Sequence, residues 1–255
     1  MRTTFCPLLG AAFLLGTMPL PTQAAVTLLS LDATVGVEEA DGDPAEDGDE
    51  VSRWLDQGGL GNHATLSPFG GSTTATYSTT DHLGSPAVVF DAASDRYRVS
   101  TLSLSSTSNY YISATIKGSG AGERIIATTY GNGAGLNGLE FYLYNKSLHV
   151  YANGFSLNSA NTGKFITDNT WTDVALEKDG NLYRLFVNGQ VADSGTSGVS
   201  FSGFPYLTIG SGGDYSGAVF GSMANLTILQ IPEPSVAALG LLGLLGLIKI
   251  RRRTT

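Results

Sequence analysis

Residues 169–194, NTWTDVALEKDGNLYRLFVNGQVADS, constrain the fold more than any other part of the chain. Apolar residues alternate with polar ones there, and Asp179-Gly180 and Asn188-Gly189 divide the segment into three short runs. Asp-Gly and Asn-Gly favour two-residue hairpin turns because both central positions require positive φ. The segment therefore predicts a three-stranded β-meander. Since such a meander cannot bury its apolar face alone, we expect it in the middle of a larger sheet.

Short apolar runs separated by Gly, Asn, Asp or Ser turns continue this pattern along the chain. They occupy residues 26–33, 86–90, 96–100, 110–118, 124–130, 139–144 and 147–151. Strands at such intervals are typical of sandwiches and jelly rolls. Charged residues make up only 14% of the chain, with 33 glycines, a composition that suits strands and turns. The predicted fold class is all-β, a jelly-roll sandwich of two antiparallel sheets.

Four segments in order carry a family resemblance: 51–66 (VSRWLDQGGLGNHATL), 85–99 (SPAVVFDAASDRYRV), 169–194 and 206–229 (YLTIGSGGDYSGAVFGSMANLTIL). Together they resemble the laminin-G-like domains of the concanavalin A-like lectin/glucanase superfamily. The resemblance implies one jelly-roll domain over residues 26–230, and a structural calcium ion as in many such domains. One departure is that Ala224 and Asn225 replace the acidic residue usual in the last strand pair. We therefore assign no calcium ligands and no other cofactor.

The amino terminus predicts a secretory signal peptide over residues 1–25. Arg2 precedes an apolar run at 8–15, and small residues lead to a cleavage site after Ala24 or Ala25. The apolar run is too short to span a bilayer, which disfavours a membrane anchor. Cys6 is the only cysteine and lies in this helical leader, so the mature domain is expected to have no disulfide.

The carboxyl terminus, residues 231–255, changes character abruptly. Pro232, Glu233 and Pro234 precede an apolar run at 236–248, and the chain closes with a basic cluster of Arg251, Arg252 and Arg253. This order resembles a PEP-CTERM sorting signal with a transmembrane helix. The resemblance implies that an exosortase in the inner membrane removes the tail and releases the protein to the cell surface or extracellular polysaccharide of a Gram-negative bacterium. The alternative is a permanent tail anchor, with the arginines in the cytoplasm.

The charge of the predicted mature domain argues against a polyanionic partner. Between residues 25 and 231 there are nine basic and twenty-one acidic residues, a net charge of −12. Nucleic-acid binding depends on neutralising phosphates and is therefore disfavoured. The acidic segment 38–50 is interpreted as a solvated loop. An EF-hand register starting at Asp43 fails because Ala45 and Trp54 occupy ligand positions.

Catalytic constellations are not found in the sequence. Retaining glycoside hydrolysis requires two carboxylates about 5 Å apart, which on this fold implies Glu-x-Asp-x-x-Glu. Glu39-Ala40-Asp41 is followed by Pro44, and Glu177-Lys178-Asp179 by Leu182, so neither segment completes the pattern. His63, His82 and His149 each lack a neighbouring carboxylate or cysteine at metal-ligand spacing. We predict no catalytic residue and no metal ligand.

Aromatic residues are the candidates for contact with a ligand. Trp54 and Trp171 are interpreted as core residues rather than platforms for sugar, because an isolated Trp on an alternating strand is usually buried. Tyr142 and Tyr144 fall on the face of strand 139–144 opposite Leu139, Phe141 and Leu143. That face either stacks against a glycan or forms a second apolar layer under a loop. Both alternatives stay open, and no ligand-binding residue is assigned.

These observations predict an exported, non-catalytic jelly-roll module that binds carbohydrate or a surface protein in the extracellular matrix. Its expected partners are exosortase and the secretion machinery during processing, and extracellular polysaccharide afterwards. Contact with the inner membrane would be transient, through the carboxyl-terminal helix. The alternatives are a glycoside hydrolase of the same fold and a purely structural matrix protein.

Overall fold

The computed structural model describes residues 24–68, 71–92, 94–118, 124–127, 138–201, 206–210 and 221–232. Within these ranges the chain forms two antiparallel β-sheets and one short 3-10 helix, Ser159–Thr162. The predicted all-β sandwich is confirmed. The signal helix and the carboxyl-terminal hydrophobic helix were predicted in segments that lie outside the described residues, apart from their innermost ends.

Seventeen strands are present in the described part of the chain. They are β1 (Val26–Asp32), β2 (Val37–Glu38), β3 (Arg53–Trp54), β4 (Ala64–Leu66), β5 (Thr76–His82), β6 (Ser85–Phe90), β7 (Tyr97–Val99), β8 (Asn109–Lys117), β9 (Arg124–Ala127), β10 (Leu139–Tyr144), β11 (Ser147–Ala152), β12 (Phe155–Asn158), β13 (Thr172–Asp179), β14 (Leu182–Val187), β15 (Gln190–Thr196), β16 (Leu207–Gly210) and β17 (Gly221–Ile231). The predicted strands agree with these bounds to within two residues where the structure describes them. The sequence did not predict β2 and β3, which are only two residues long, β5, which is mostly polar, or the four-residue β12.

Strand β17 organises the first sheet, here called sheet A, whose order is β15-β14-β13-β8-β17-β6-β5. It pairs with β8 along nearly its whole length, from Ser222 to Ile231. Its other edge is shared, because β6 pairs with residues 221–223 and β1 with residues 225–230. The last described strand therefore joins the first strand, the hairpin β5–β6 and the meander into one sheet.

The second sheet, sheet B, has the order β12-β11-β10-β9-β16-β7-β4-β3-β2. Its inward side chains and those of sheet A belong to one hydrophobic cluster, which includes Ile112, Leu176 and Leu226 from sheet A and Phe141, Val150 and Ile209 from sheet B. Alternation along each strand sends every second side chain into this layer and the others outward. Each sheet therefore also presents an outward face on which ligand contacts can be built.

The meander has the predicted strands β13, β14 and β15, but its predicted place in the middle of a sheet is wrong. Strand β13 pairs with β8, whereas β15 has no further strand partner among the described residues. The edge is instead tied to sheet B through Asp193. Its Oδ2 accepts hydrogen bonds from the Asn158 N–H at 3.0 Å and the Asn161 side-chain amide at 3.1 Å.

The two turns of the meander differ from each other. Asn188 and Gly189 both have positive φ, 49° and 73°, as a type I′ hairpin turn requires. In the other turn only Gly180 has positive φ, 56°, so the expectation that both central residues do is wrong there. A glycine at the first central position is sufficient for that hairpin.

Candidate functional site

In the segment 51–66, which carries part of the family resemblance, Asp56 forms a set of hydrogen bonds that we call the clamp. Asp56 is 8% exposed, and its Oδ1 accepts hydrogen bonds from the N–H groups of Ser30 and Gly58, both at 2.8 Å. Its Oδ2 accepts one from the Asn62 N–H at 3.1 Å. The Asp56 N–H donates to His63 Nδ1 at 2.9 Å. The clamp ties this loop to β1, so His63 has a structural partner that the sequence did not suggest.

A second buried carboxylate, that of Asp95, lies in the segment 85–99, which also carries part of the family resemblance. Asp95 is 1% exposed, and its Oδ2 accepts hydrogen bonds from the N–H groups of Asp91 and Ala92 at 2.9 Å. Its Oδ1 accepts one from the Thr73 hydroxyl at 2.6 Å. Burial raises the pKa of Asp95, while these hydrogen bonds act in the opposite direction. The Asp95 carboxylate therefore holds the connection between β6 and β7 and joins it to Thr73.

The two tryptophans have different environments. Trp54 is 1% exposed, which confirms its core interpretation. Trp171 is only half-buried, and the same interpretation is wrong for it. Its indole N–H donates to the Asp81 carbonyl at 3.0 Å, and its ring centroid lies 4.4 Å from that of His82. Lys117 Nζ lies 5.6 Å from the ring centre and is paired with the Asp81 carboxylate. Trp171 thus fastens the β5–β6 hairpin at the rim of the sheet.

An aromatic cluster lies on the outward face of sheet B. Tyr142 stacks on His149 with ring centroids 5.1 Å apart and an interplanar angle of 20°. Tyr144 meets the same imidazole edge-on at 5.9 Å and 83°. Tyr144 is 53% exposed, so this layer is a surface and not a second buried one. We call Tyr142, Tyr144 and His149 the tyrosine platform.

His149 has aromatic neighbours, which the search for metal-ligand partners in the sequence did not address. Strands β10 and β11 pair so that Tyr142 lies directly opposite His149. Burial lowers the pKa of His149, opposed by a hydrogen bond to the Tyr144 backbone. The imidazole is therefore neutral at neutral pH and stacks without introducing a positive charge. The short hairpin between residues 139 and 151 was the sequence signal for this pairing.

The acidic loop between β2 and β3 behaves as a solvated surface. Asp47 Oδ1 accepts a hydrogen bond from the Thr79 N–H at 2.8 Å, and Asp49 Oδ2 one from the Glu46 N–H at 2.6 Å. The negative charge of Asp49 raises the pKa of Glu39. In the part of the chain that the structure describes, no three His, Cys, Asp or Glu side chains are grouped to hold a metal ion.

The carboxylates of the segment Glu177-Lys178-Asp179 are separated by a buried cation. Glu177 is held by Arg184, whose Nε and Nη2 donate at 2.8 and 2.7 Å. Lys178 points inward, is 2% exposed, and donates to the carbonyls of Ser108 at 3.1 Å and Gly180 at 2.9 Å. Glu177 therefore stabilises the pairing of β13 with β14 through its ion pair with Arg184, and Lys178 stabilises the turn at Gly180.

The predicted processing residues fall partly within the structure. Ala24 and Ala25 are exposed and immediately precede β1, and Pro232 directly follows β17. Because Val26 pairs with Gln230, both ends of the domain lie at one end of sheet A. Glu233, Pro234, Arg251, Arg252 and Arg253 lie outside the described residues. Across the described ranges, no helix has the length and apolar character needed to cross a membrane.

The sandwich and its two outward faces define a jelly-roll domain of the lectin and glucanase type. The Laminin_G_3 family model, described as the concanavalin A-like lectin/glucanases superfamily, matches residues 91–232, more than half of the chain. The chain belongs to this family. The segment 51–66 precedes the matched residues, yet its strands β3 and β4 belong to sheet B. No curated protein matches the sequence.

Solved structures with the same fold include enzymes and binding domains. A GH54 α-L-arabinofuranosidase aligns with TM-score 0.60 and 14% identity, covering 84% of this chain and 61% of that one. Domain 4 of AbnA, a GH43 extracellular arabinanase from Geobacillus stearothermophilus, in complex with arabinotriose, gives 0.52 and 15%, covering 82% and 94%. The botulinum neurotoxin serotype D ligand binding domain, in complex with N-acetylneuraminic acid, gives 0.51 and 13%, covering 85% and 50%.

These similarities establish a shared fold and nothing finer. The chain spans between half and about three fifths of the length of the arabinofuranosidase and the toxin domain. Because both hydrolases and non-catalytic binding domains use this fold, the fold alone does not decide between catalysis and binding.

Proposed function

We propose that this protein is an exported, non-catalytic carbohydrate-binding module that associates with a glycan of the bacterial extracellular matrix. The observation that carries this proposal is the tyrosine platform on sheet B, where Tyr144 is 53% exposed beside a stacked Tyr142–His149 pair. Complexes of two similarly folded domains with arabinotriose and N-acetylneuraminic acid support the ligand class.

The chemistry of the platform suits a sugar. An aromatic side chain offers an apolar ring face to the C–H groups of a pyranose or furanose, and a phenol adds a hydroxyl that donates and accepts hydrogen bonds. The edge-on contact at 83° braces the Tyr144 ring against His149, so little side-chain freedom is lost on binding. The neutral imidazole leaves the platform without a positive charge that would select an anionic ligand.

Replacing Tyr144 with alanine is expected to weaken binding to the extracellular polysaccharide of the producing strain by about fivefold. One stacked ring contributes on the order of 1 kcal/mol, and 1.4 kcal/mol corresponds to a factor of ten. The measurement is a calorimetric or co-sedimentation titration with the full chain. Tyr144→Phe keeps the ring and should retain most of the affinity.

The matched control is Leu83→Ala. Leu83 is apolar and 84% exposed, and it lies in a hairpin of sheet A, away from the platform. The Leu83→Ala protein should bind the polysaccharide as the unmodified protein does. Equal affinity of the Tyr144→Ala protein would remove the platform from the binding surface. Release of reducing ends from the polysaccharide would favour the glycoside hydrolase, and the absence of all binding would favour a structural matrix protein.

Export and sorting form the second part of the proposal. We propose that the signal peptide is removed after Ala24 or Ala25, and that an exosortase cleaves near Pro232, Glu233 and Pro234 and removes the basic tail. The pairing of Val26 with Gln230 supports this proposal, because the two proposed cleavage sites would then flank the same end of the domain. The intact mass of protein recovered from the extracellular matrix should lack both terminal segments. A matrix form that retains Arg251, Arg252 and Arg253 would contradict the sorting proposal and favour a permanent anchor.

A further inference from the structure

A groove of about 290 Å³ lies on the outward face of sheet A, on the opposite side of the sandwich from the tyrosine platform. Strands β8, β13, β14 and β17 line it with Tyr111, Ser113, Thr115, Asp173, Phe186 and Asn225. Ala175 forms its floor and is only 4% exposed although it points outward. A volume near the lower limit of ligand pockets suits a single small ring, since it equals that of about ten water molecules at ~30 Å³ each.

One end of the groove is polar and already ordered by hydrogen bonds. The Asn225 amide donates to the Thr115 hydroxyl at 3.1 Å, and that hydroxyl donates to Asp173 Oδ1 at 2.7 Å. Asn225 Oδ1 also accepts from the Thr115 N–H at 3.2 Å. Asp173 is exposed, and its Oδ2 accepts no hydrogen bond among the described residues. An oriented amide and a carboxylate oxygen therefore face the groove.

This polar end depends on the residue that departs from the usual family pattern. Asn225 follows Ala224 at the irregularity in the pairing of β17 with β8, between Met223 and Asn225. An acidic residue at position 225 would place a second carboxylate near Asp173 and could not donate to Thr115 unless protonated. The amide instead supplies a donor beside an acceptor, which is the pair needed to bind two neighbouring hydroxyls.

The other end of the groove is aromatic. The rings of Tyr111 and Phe186 lie 6.2 Å apart at an angle of 59°, and both side chains are half-buried. Phe186 lies level with Ser113, because both pair with Ala175, whereas Asp173 and Asn225 lie level with Thr115. Phe186 is therefore about 7 Å along the strands from the polar end, close enough for one sugar ring to contact both. Burial, and then the carboxylates of Glu177 and Asp173, raise the pKa of the Tyr111 phenol, which therefore stays neutral.

The charges around the groove favour a neutral ligand over an anionic one. Asp173 contributes an exposed carboxylate, and the neighbouring Glu177 is neutralised by Arg184 at 2.7 Å. Among the described residues, no cation lines the groove to balance a phosphate, sulfate or uronate. A neutral sugar can instead donate two hydroxyl protons to the Asp173 carboxylate and accept from the Asn225 amide, while its C–H face packs against Phe186.

We infer that this groove is a second carbohydrate site, which takes one neutral sugar ring with a pair of neighbouring hydroxyls. The inference rests on the proposed function for its ligand class, but it uses none of the platform residues. Two sites on opposite faces would allow one molecule to contact two polysaccharide chains.

The test is a titration of the full chain with neutral methyl glycosides of arabinose, glucose, galactose and mannose, together with methyl glucuronoside as the charged comparison. Calorimetry and ligand-detected NMR report the affinity. We expect at least one neutral glycoside to bind and the glucuronoside to bind at least about tenfold more weakly. Asp173→Ala and Phe186→Ala should each weaken the neutral glycoside about tenfold or more, because each removes one of the two types of contact. Tyr144→Ala should leave its affinity unchanged.

The outcomes separate this inference from the proposed function. Loss of glycoside binding in Tyr144→Ala, with binding retained in Asp173→Ala, would assign the sugar to the platform and overturn the groove. Polysaccharide binding without binding of any glycoside would overturn the groove alone, whereas loss of both would overturn both proposals. Equal binding of the glucuronoside would overturn the charge argument. Self-association that Phe186→Ala abolishes would show that the groove binds a second copy of this chain.

Discussion

Replacing Trp54 with alanine is expected to lower the free energy of unfolding by about 3–5 kcal/mol, the usual cost of truncating a large buried aromatic side chain. Trp54 is 1% exposed and lies in β3 between Val37 of β2 and Ala64 of β4. Neither neighbour is large enough to fill the space left by the indole. The cavity would therefore open at the end of sheet B, where the strands are short and have few other contacts.

Trp54→Phe separates the ring volume from the indole N–H. Nε1 of Trp54 is buried and has no hydrogen-bond partner among the described residues. An unsatisfied buried donor costs about 1–3 kcal/mol, so its removal offsets part of the lost packing. We expect Trp54→Phe to cost less than half as much as Trp54→Ala.

The measurement is equilibrium urea unfolding of the full chain, followed by far-ultraviolet circular dichroism. The matched control is Trp171→Ala, in which a half-buried indole is removed from the rim. Trp171→Ala should lower the free energy of unfolding by about 1–2 kcal/mol, because it removes one hydrogen bond and part of the buried apolar surface. Equal losses for the two alanine variants would contradict the different environments assigned to the two tryptophans.

Replacing Asp56 with alanine is expected to cost about 3 kcal/mol, because three backbone N–H groups lose a charged acceptor at once. Hydrogen bonds to charged groups contribute about 1.5–3 kcal/mol each, although water can reach some of the freed donors. Asp56→Asn retains one carbonyl oxygen, which can still accept from Ser30 and Gly58. Its amide would face the Asn62 N–H, so we expect an intermediate loss.

Urea unfolding measures the global effect, and amide hydrogen exchange localises it. Exchange at Ser30, Gly58 and Asn62 should accelerate in Asp56→Ala more than exchange elsewhere in the sheets. Asp173→Ala is the matched control: its carboxylate is exposed and accepts one hydrogen bond, so its stability should change by less than about 1 kcal/mol. A stable Asp56→Ala protein with unchanged exchange would show that the clamp does not hold the loop.

The strands and the direction of their side chains could be predicted from local sequence because both depend on neighbouring residues. Alternation in residues 139–144 separated Phe141 from Tyr142 and Tyr144, and the structure buries the first while it exposes Tyr144. Asn188-Gly189 predicted a hairpin because its backbone conformation is set within two residues. For Asp179-Gly180 the hairpin itself was predicted correctly, but the expectation of two residues with positive φ was wrong, since only Gly180 has one.

Sequence reasoning could not assign the residues whose partners lie far along the chain. Trp171 contacts Asp81 and His82 across about ninety residues, and Asn225 meets Thr115 across one hundred and ten. No local pattern encodes such distances. The meander was expected in the middle of a sheet because its apolar face needs a cover, but sheet B supplies that cover equally well at an edge.

Turn chemistry and alternation therefore determined an all-β sandwich with a tyrosine-bearing outward strand, since these depend on interactions within a few residues. Only the tertiary structure decided which strands are neighbours, and with them the platform pair of Tyr142 and His149, the clamp at Asp56 and the groove on sheet A. The physical reason is that strand register brings distant segments within hydrogen-bonding distance, where each outward side chain acquires its partners.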